Sequence, residues 1–526
     1  MSDSINTRIL IIGSGIAGSS AALCLADAGL EVLLVTSGNR LDDGNTALAQ
    51  GGIVYKAAED EPGLLEKDML TAGWEQNHIK AVKFLCHKGP EAVKKILIDR
   101  LKVPFEKIDG QKFHLTREGG HSLARILHCA DYTGRKIMDS FNQAVLKHPN
   151  IRVMTGQTAI DILTTQHHSS ELEIRYQLMN QCAGAYILDQ SSGHVNRILA
   201  DFTLIASGGI GQIYLNTTNT PSSLGSGLVM AQRAGARMMN LEYVQFHPTA
   251  LFHRSPRKFL ITEAMRGEGA VLINARHEPF MKKYDQRGDL APRDIVTRAI
   301  VEEMLGTGED FVYLNAADNI KDPAGRFPTI HQKCLENGID ITRDPIPVVP
   351  AAHYFCGGIL VDTSGRTTID RLYAAGECAC TGVHGANRLA STSLLEALLW
   401  GYSVSRDIQH RCRNKSMLSR RIRASIPEWK FLGSRHNEDP VLIAQDWSTI
   451  RNTMWNYVGI NRTSARLKRG FDDLRNLNKR LHDFYKETAI SKSLVELFHA
   501  SYAAYLITTA ALRNKQSLGC HHRKDD

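Results

Sequence analysis

The sequence predicts a doubly wound α/β domain, interrupted by an α+β insertion and followed by a helical bundle. Three observations carry this. The stretch RILIIGSGIAGSSAALCLADAGLEVLLV (8–35) reads as a buried strand, a glycine turn, a helix and a second buried strand. Between about 240 and 351, arginines, prolines and short helical patterns replace the strand–helix rhythm. Beyond about 411 only helical periodicity remains, including SLVELFHASYAAYLITTAALRNK (493–515), which suits a core-facing helix of a terminal bundle. A chain of 526 residues exceeds one core. The expected division is 1–239 and 352–410 for the two parts of the α/β domain, 240–351 for the insertion and 411–526 for the helical domain.

In chain order, helical patterns follow the opening unit at 64–101 and around 134–147, then a strand, IRVMT (151–155). Short alternating runs from 158 to 205 fit a small antiparallel excursion. DFTLIASGG (201–209) and RLYAAGE (371–377) read as further buried strands ending in glycine. No internal repeat or low-complexity tract appears.

Composition excludes several classes. The chain is 43% hydrophobic and 22% charged, an ordinary globular balance. It lacks the ~18-residue apolar run of a spanning helix, so no membrane partner is expected. The apolar stretch near its start has glycines spaced as a turn, unlike a signal peptide. Ten cysteines are scattered, the nearest pair being Cys378 and Cys380, with no CxxC. That spacing argues against zinc or iron–sulfur, so no metal is expected, and reduced thiols in the cytoplasm are the default. The net charge of +8 is thinly spread, and its densest run, RCRNKSMLSRRIR (411–423), reads as a solvated linker or helix face. Nucleic-acid binding is therefore not expected.

Gly13, Gly15 and Gly18 match the dinucleotide fingerprint between a strand and a helix, with Ser14, Ile16 and Ala17 filling the turn. The first glycine permits the turn, the second admits a pyrophosphate, and the third lets helix and strand pack. The helix start then offers unpaired N–H groups to the phosphates. The acidic residue that would hold a nicotinamide cofactor's ribose is missing: the second strand ends at Val35, Thr36 and Ser37, and Glu31 lies at its wrong end. NTALAQGG (Asn45, Thr46, Ala47, Leu48, Ala49, Gln50, Gly51 and Gly52) offers small residues on which a flat ring could lie, which points to FAD. AAGE places the carboxylate of Glu377 after a strand, and STSLLEA brings a helix start with Ser393 and Leu394. Such a helix start favours the anionic edge of a reduced flavin.

These pieces, with QFHPTAL (245–251), TEAMRGEGA (262–270), LAPRDIVTRAI (290–300), VPAAHYFCGGI (349–359) and HGANRLASTSLLEA (384–397), resemble the flavoprotein family of succinate dehydrogenase, fumarate reductase and L-aspartate oxidase. The resemblance runs nearly the whole chain. It implies a Rossmann-like FAD-binding domain, an inserted capping domain, a C-terminal helical domain, and hydride transfer between a dicarboxylate and flavin N5. It adds Ala159 and Ser226 to the cofactor set. Where the dehydrogenases carry a histidine that bonds covalently to FAD, this chain has Asn45, so non-covalent FAD is expected. Relatives tend to carry a lysine at Ser37, an aspartate at Ser226 and an arginine at Leu518; the first two departures predict looser FAD.

LTREGGHS (115–122) and LHCADYTG (127–134) are most similar to the amino-acid-oxidising members. That likeness implies oxidation of L-aspartate to iminoaspartate, with electrons passed to oxygen or fumarate. It also implies a place at the first step of quinolinate and NAD synthesis, with quinolinate synthase as metabolic neighbour. A dicarboxylate brings two charges into a dry site, and each needs cations or strong donors. Arg388 offers a planar fork, and the resemblance adds His247, Thr262 and His353 as carboxylate ligands. Glu118 offers a carboxylate to the α-ammonium of aspartate, which succinate lacks; its alternative is a surface pair with Arg117. Arg293 corresponds to the family's proton-transfer arginine, with Glu263 and Arg266 as relay members; its alternative is an electrostatic clamp on the second carboxylate. Two other readings of the whole remain: a soluble fumarate reductase or succinate dehydrogenase-like enzyme, and a catalytically silent flavin-binding regulator.

Overall fold

Ile9, Leu10 and Ile11 lie fully buried in the middle of a seven-stranded sheet. In this computed structural model residues 5–57, 60–253, 257–430, 433, 435, 437 and 439–525 are described. The sheet runs Ile151–Met154, Val32–Val35, Ile5–Ile12, Val195–Ile205, Cys182–Asp189 and Gln157–Thr164, with Leu372–Ala374 also paired to Val195–Ile205. The first four are parallel, Ile9 standing opposite both Val32 and Phe202. Both faces of these strands are covered, which is why their sequences are continuous apolar runs.

Val195–Ile205 is longer than the sequence suggested, and one of its edges is shared. Val195 to Leu199 pair antiparallel with Cys182–Asp189, whereas Thr203 to Ile205 pair parallel with Leu372–Ala374. The strand thus joins the excursion to the second segment of the domain. Helix Ile16–Ala26 crosses helix Thr392–Arg413 closely, since a Cβ on Gly401 would lie 2.4 Å from the Ala17 carbonyl oxygen.

The insertion folds around a four-stranded antiparallel sheet, Val244–Leu251, Ile346–Phe355, Val312–Asn315 and Val271–Ile273. Helix Arg293–Thr307 packs on it over a separate core that includes Leu272, Ile300, Leu314 and Val348. The boundary expected at 351 falls inside strand Ile346–Phe355, and that at 410 inside helix Thr392–Arg413. Both elements run on without interruption because they bridge the units they were meant to separate.

The 64–101 pattern resolves into helices Pro62–Ala72 and Ile79–Ala92 and a π-helical turn Val93–Arg100. The break holds Trp74 and Glu75 at φ of 57° and 56°, and the Asn77 amide donates to the Val383 carbonyl at 2.7 Å. Beyond 411 the chain forms helices Pro440–Val458, Ser464–Glu487 and Lys492–Arg513, each capped by the side chain before it: Asp439, Thr463 and Ser491. The basic run at 411–423 is not a free face, for Arg411 pairs with Asp370 at 2.7 Å, Arg421 with Glu171 at 2.6 Å and Arg423 with Asp201 at 2.6 Å. All ten cysteines are free thiols. Among the described residues no helix is long and apolar enough to cross a membrane.

Candidate active site

The fingerprint glycines act as steric necessities. Gly13 has φ +114°, and a Cβ there would lie 2.1 Å from the Ala206 carbonyl oxygen. A Cβ on Gly18 would lie 2.0 Å from the Gly13 oxygen. Helix Ile16–Ala26 has no acid in its first turn, so its N-terminal dipole faces the cleft uncancelled. Every residue that the sequence assigned to the cofactor lines this cleft of about 310 Å³ except Gly18 and Ala47. Gly18 is consumed by helix–strand packing, and Ala47 is turned into the core at 7% exposure.

The cleft fits FAD chemically. Gln50 Oε1 is buried on the lining with no hydrogen-bond partner among the described residues, which suits a polar ligand. Glu377 accepts from the Phe355 N–H at 3.0 Å, yet burial pushes its carboxyl up to about 7. Asn45 is held in place, its amide donating to Ser223 Oγ at 2.9 Å while its oxygen accepts from Thr220 N at 2.8 Å. Ser37 lies on the lining with its carbonyl accepting from Gln190, and Ser226 opens helix Ser226–Arg233.

At the capped end, strands Val244–Leu251 and Ile346–Phe355 bring His247 and His353 together, ring centroids 5.1 Å apart. Burial first holds both imidazoles well below their ordinary range, followed by Arg293 and Arg266 at His247 and by the His247 ring and then Arg388 at His353. They are neutral hydrogen-bonding groups, so positive charge must come from arginines. Arg293, the first residue of helix Arg293–Thr307, donates from Nε to Glu263 Oε2 at 2.5 Å. Arg266 stands 3.7 Å from the other oxygen of Glu263. Burial raises the Glu263 carboxyl, but Arg293 and Arg266 outweigh it and draw it down to about 2. Arg388 is different: among the described residues no carboxylate pairs with it. Its partners are Gln245 Oε1 at 3.2 Å, Ser393 Oγ at 3.1 Å and the Tyr354 ring at 4.5 Å. Arg388 therefore keeps a full charge for a ligand. Thr262 adds a buried hydroxyl to the same lining.

Glu118 faces the cleft and not Arg117, whose Nε donates to the His121 carbonyl at 2.7 Å. Its Oε2 accepts from Ser391 Oγ at 2.7 Å, and a Cβ on Gly51 would lie 2.3 Å from its Oε1. Ser391 holds φ +55° immediately before helix Thr392–Arg413, a costly conformation for a non-glycine residue. Burial pushes the Glu118 carboxyl up, while the Ser391 hydroxyl and Arg293 draw it back.

Two members escaped sequence reasoning. Gln245 accepts from Arg293 at 3.3 Å and from Arg388, holding the two guanidiniums in one frame. Ser391 orients Glu118. Both sit inside quoted motifs, but neither carries the charge that would have singled it out. The C-terminal tail also contributes from outside. Cys520 N donates to the Ala386 carbonyl at 3.0 Å, and Leu518 packs beside Tyr354 and Ala386. Gly519 has φ +52°, and a Cβ there would lie 2.6 Å from the Ala386 oxygen. Gly519→Ala is expected to shift the Arg388 loop and raise KM for a dicarboxylate by about tenfold, with flavin content unchanged in steady-state assays.

A nucleotide cradle closed by a cap that presents arginines, neutral imidazoles and one unpaired guanidinium defines a flavoprotein with a pocket for small anions. The FAD binding domain family matches residues 8–394, and the fumarate reductase flavoprotein C-terminal family matches 447–526. The L-aspartate oxidase of Pseudomonas aeruginosa is 40% identical, covering 100% of this chain and 96% of that protein. That of Vibrio cholerae is 40% identical over 98% of this chain and 95% of its own length. Among solved structures, the E. coli quinol fumarate reductase superposes with a TM-score of 0.89 at 25% identity, covering 100% of this chain and 92% of that one. The chain belongs to the L-aspartate oxidase branch of the succinate dehydrogenase/fumarate reductase flavoprotein family.

Proposed function

We propose that the protein oxidises L-aspartate to iminoaspartate and passes the electrons to oxygen or fumarate. The carrying observation is Glu118, a half-buried carboxylate on the lining that also holds Arg293 and Arg388. FAD, when bound, supplies the hydride acceptor at N5. The chain's own groups do the rest. Arg388 takes one carboxylate in its planar fork, with His247, His353 and Thr262 as further donors to carboxylate oxygens. Glu118 accepts N–H from the α-ammonium, a partner that succinate does not offer. Arg293 receives the substrate's proton and passes it toward Glu263 and Arg266.

Anaerobic addition of aspartate, succinate and fumarate in turn tests this reading. Flavin absorbance should bleach with aspartate, resist succinate and recover with fumarate. Equal bleaching by succinate would favour a succinate dehydrogenase-like enzyme, since the Arg388 frame suits any C4 diacid.

A pH profile supplies a second check. Glu118 accepts the ammonium only when ionised, and burial raises its carboxyl above the ordinary 4.5. kcat/KM for aspartate is expected to be full above that raised pKa and to fall as pH drops through it, and Glu118→Gln should abolish this limb. We place the reaction in the cytoplasm at the first step of quinolinate and NAD synthesis, with quinolinate synthase consuming the iminoaspartate.

A further inference from the structure

Glu106, His114 and His128 lie together outside the cleft lining, at the base of the hairpin that carries Glu118. Strands Leu115–Thr116 and Ile126–Leu127 pair with Leu115 opposite Leu127, so His114 and His128 flank the open end of that hairpin. Each of the three offers one ligand atom, and these atoms lie within 4.8 Å of one another. His128 Nε2 stands 3.0 Å from His114 Nδ1, which stands 3.8 Å from Glu106 Oε2. Donor atoms around a tetrahedral zinc ion are ~3.3 Å apart, given bonds of about 2.0–2.1 Å. Those two spacings bracket that value, and Glu106 Oε1 lies 3.8 Å from the other ring nitrogen of His128, Nδ1.

The cluster is held in shape before any ligand arrives. Glu106 N donates to the His128 carbonyl at 3.0 Å, and His114 N to the Glu106 carbonyl at 2.9 Å. Ala130 N donates to Glu106 Oε1 at 2.5 Å, which leaves the other carboxylate oxygen toward His114. The nearby cation Arg326 is engaged with Glu268 at 3.1 Å. Two imidazoles and a carboxylate favour a borderline transition-metal ion over magnesium or calcium. Cysteine spacing, on which the sequence reading relied, is blind to such a set.

We propose that Glu106, His114 and His128 bind one divalent transition-metal ion of the zinc type, which staples the two ends of the Glu118 hairpin. The site is independent of which diacid the enzyme oxidises. Metal-stripped, FAD-loaded protein titrated calorimetrically with zinc chloride should bind one ion per chain. His114→Ala and His128→Ala should each weaken that binding at least about tenfold. Glu106→Gln, which keeps side-chain shape at a half-exposed position, should weaken it too and serves if a histidine variant fails to fold. Trypsin cleavage after the exposed Arg117 should slow with zinc in the parent protein and not in the variants. No saturable binding, or stoichiometric binding indifferent to all three substitutions, would overturn the site. Binding without slower cleavage would overturn the staple.

Discussion

Arg293→Leu is expected to lower kcat for aspartate on the order of 10²–10⁴-fold while leaving FAD bound, the range general acid–base groups contribute. The side chain sits on the cap, at the start of helix Arg293–Thr307, and the cradle of Gly13 and Gly15 does not depend on it. A guanidinium held neutral at pH 7 costs on the order of 8 kcal/mol, so a stored neutral base is untenable. The contact at 2.5 Å between Arg293 Nε and Glu263, with Arg266 beyond, resolves this: a proton need only pass through. Arg293→Lys separates this role from a plain charge clamp. A clamp survives the exchange with KM raised and kcat near normal; a relay built on the fork loses kcat. Stopped-flow reduction with flavin content measured in parallel reads both, and near-normal turnover in Arg293→Leu would remove the residue from the chemistry.

Glu118→Gln is expected to reduce kcat/KM for aspartate about 10- to 150-fold, corresponding to the ~1.5–3 kcal/mol of a hydrogen bond to a charged group. Fumarate reduction should change little, because fumarate brings no cation to that corner. The exchange keeps volume beside Gly51 and leaves an oxygen for the Ser391 hydroxyl, so the loss isolates charge. Parallel assays with both substrates decide it: equal loss of the two activities would sink the ammonium-recognition role.

The opening strand–turn–helix was legible because its signals are local: glycine spacing and unbroken apolar runs that both faces of the sheet bury. The charged members of the pocket were legible for a related reason, since Arg388, Glu118 and Glu263 lie in short motifs whose chemistry requires a partner. The frame that holds them was not. Gln245 is neutral, and its two arginine partners lie 48 and 143 positions away. His247 and His353 meet only because two distant strands pair, and no periodicity announces that register. The division at 410 missed because helical periodicity runs straight across it. Glu106, His114 and His128 went unread because their juxtaposition is a product of backbone pairing rather than of spacing.

The shared edge of Val195–Ile205 bears on how the molecule is made. On one edge its last three residues already pair with Leu10–Ile12, but on the other they meet Leu372–Ala374, which the ribosome delivers after the whole cap. At roughly 5–20 residues per second, that interval is on the order of ten seconds. A nascent chain must carry an unfinished, apolar margin throughout that delay, next to the place where the nucleotide will bind. Vectorial synthesis thus leaves the sheet half built on that edge until Leu372–Ala374 arrives.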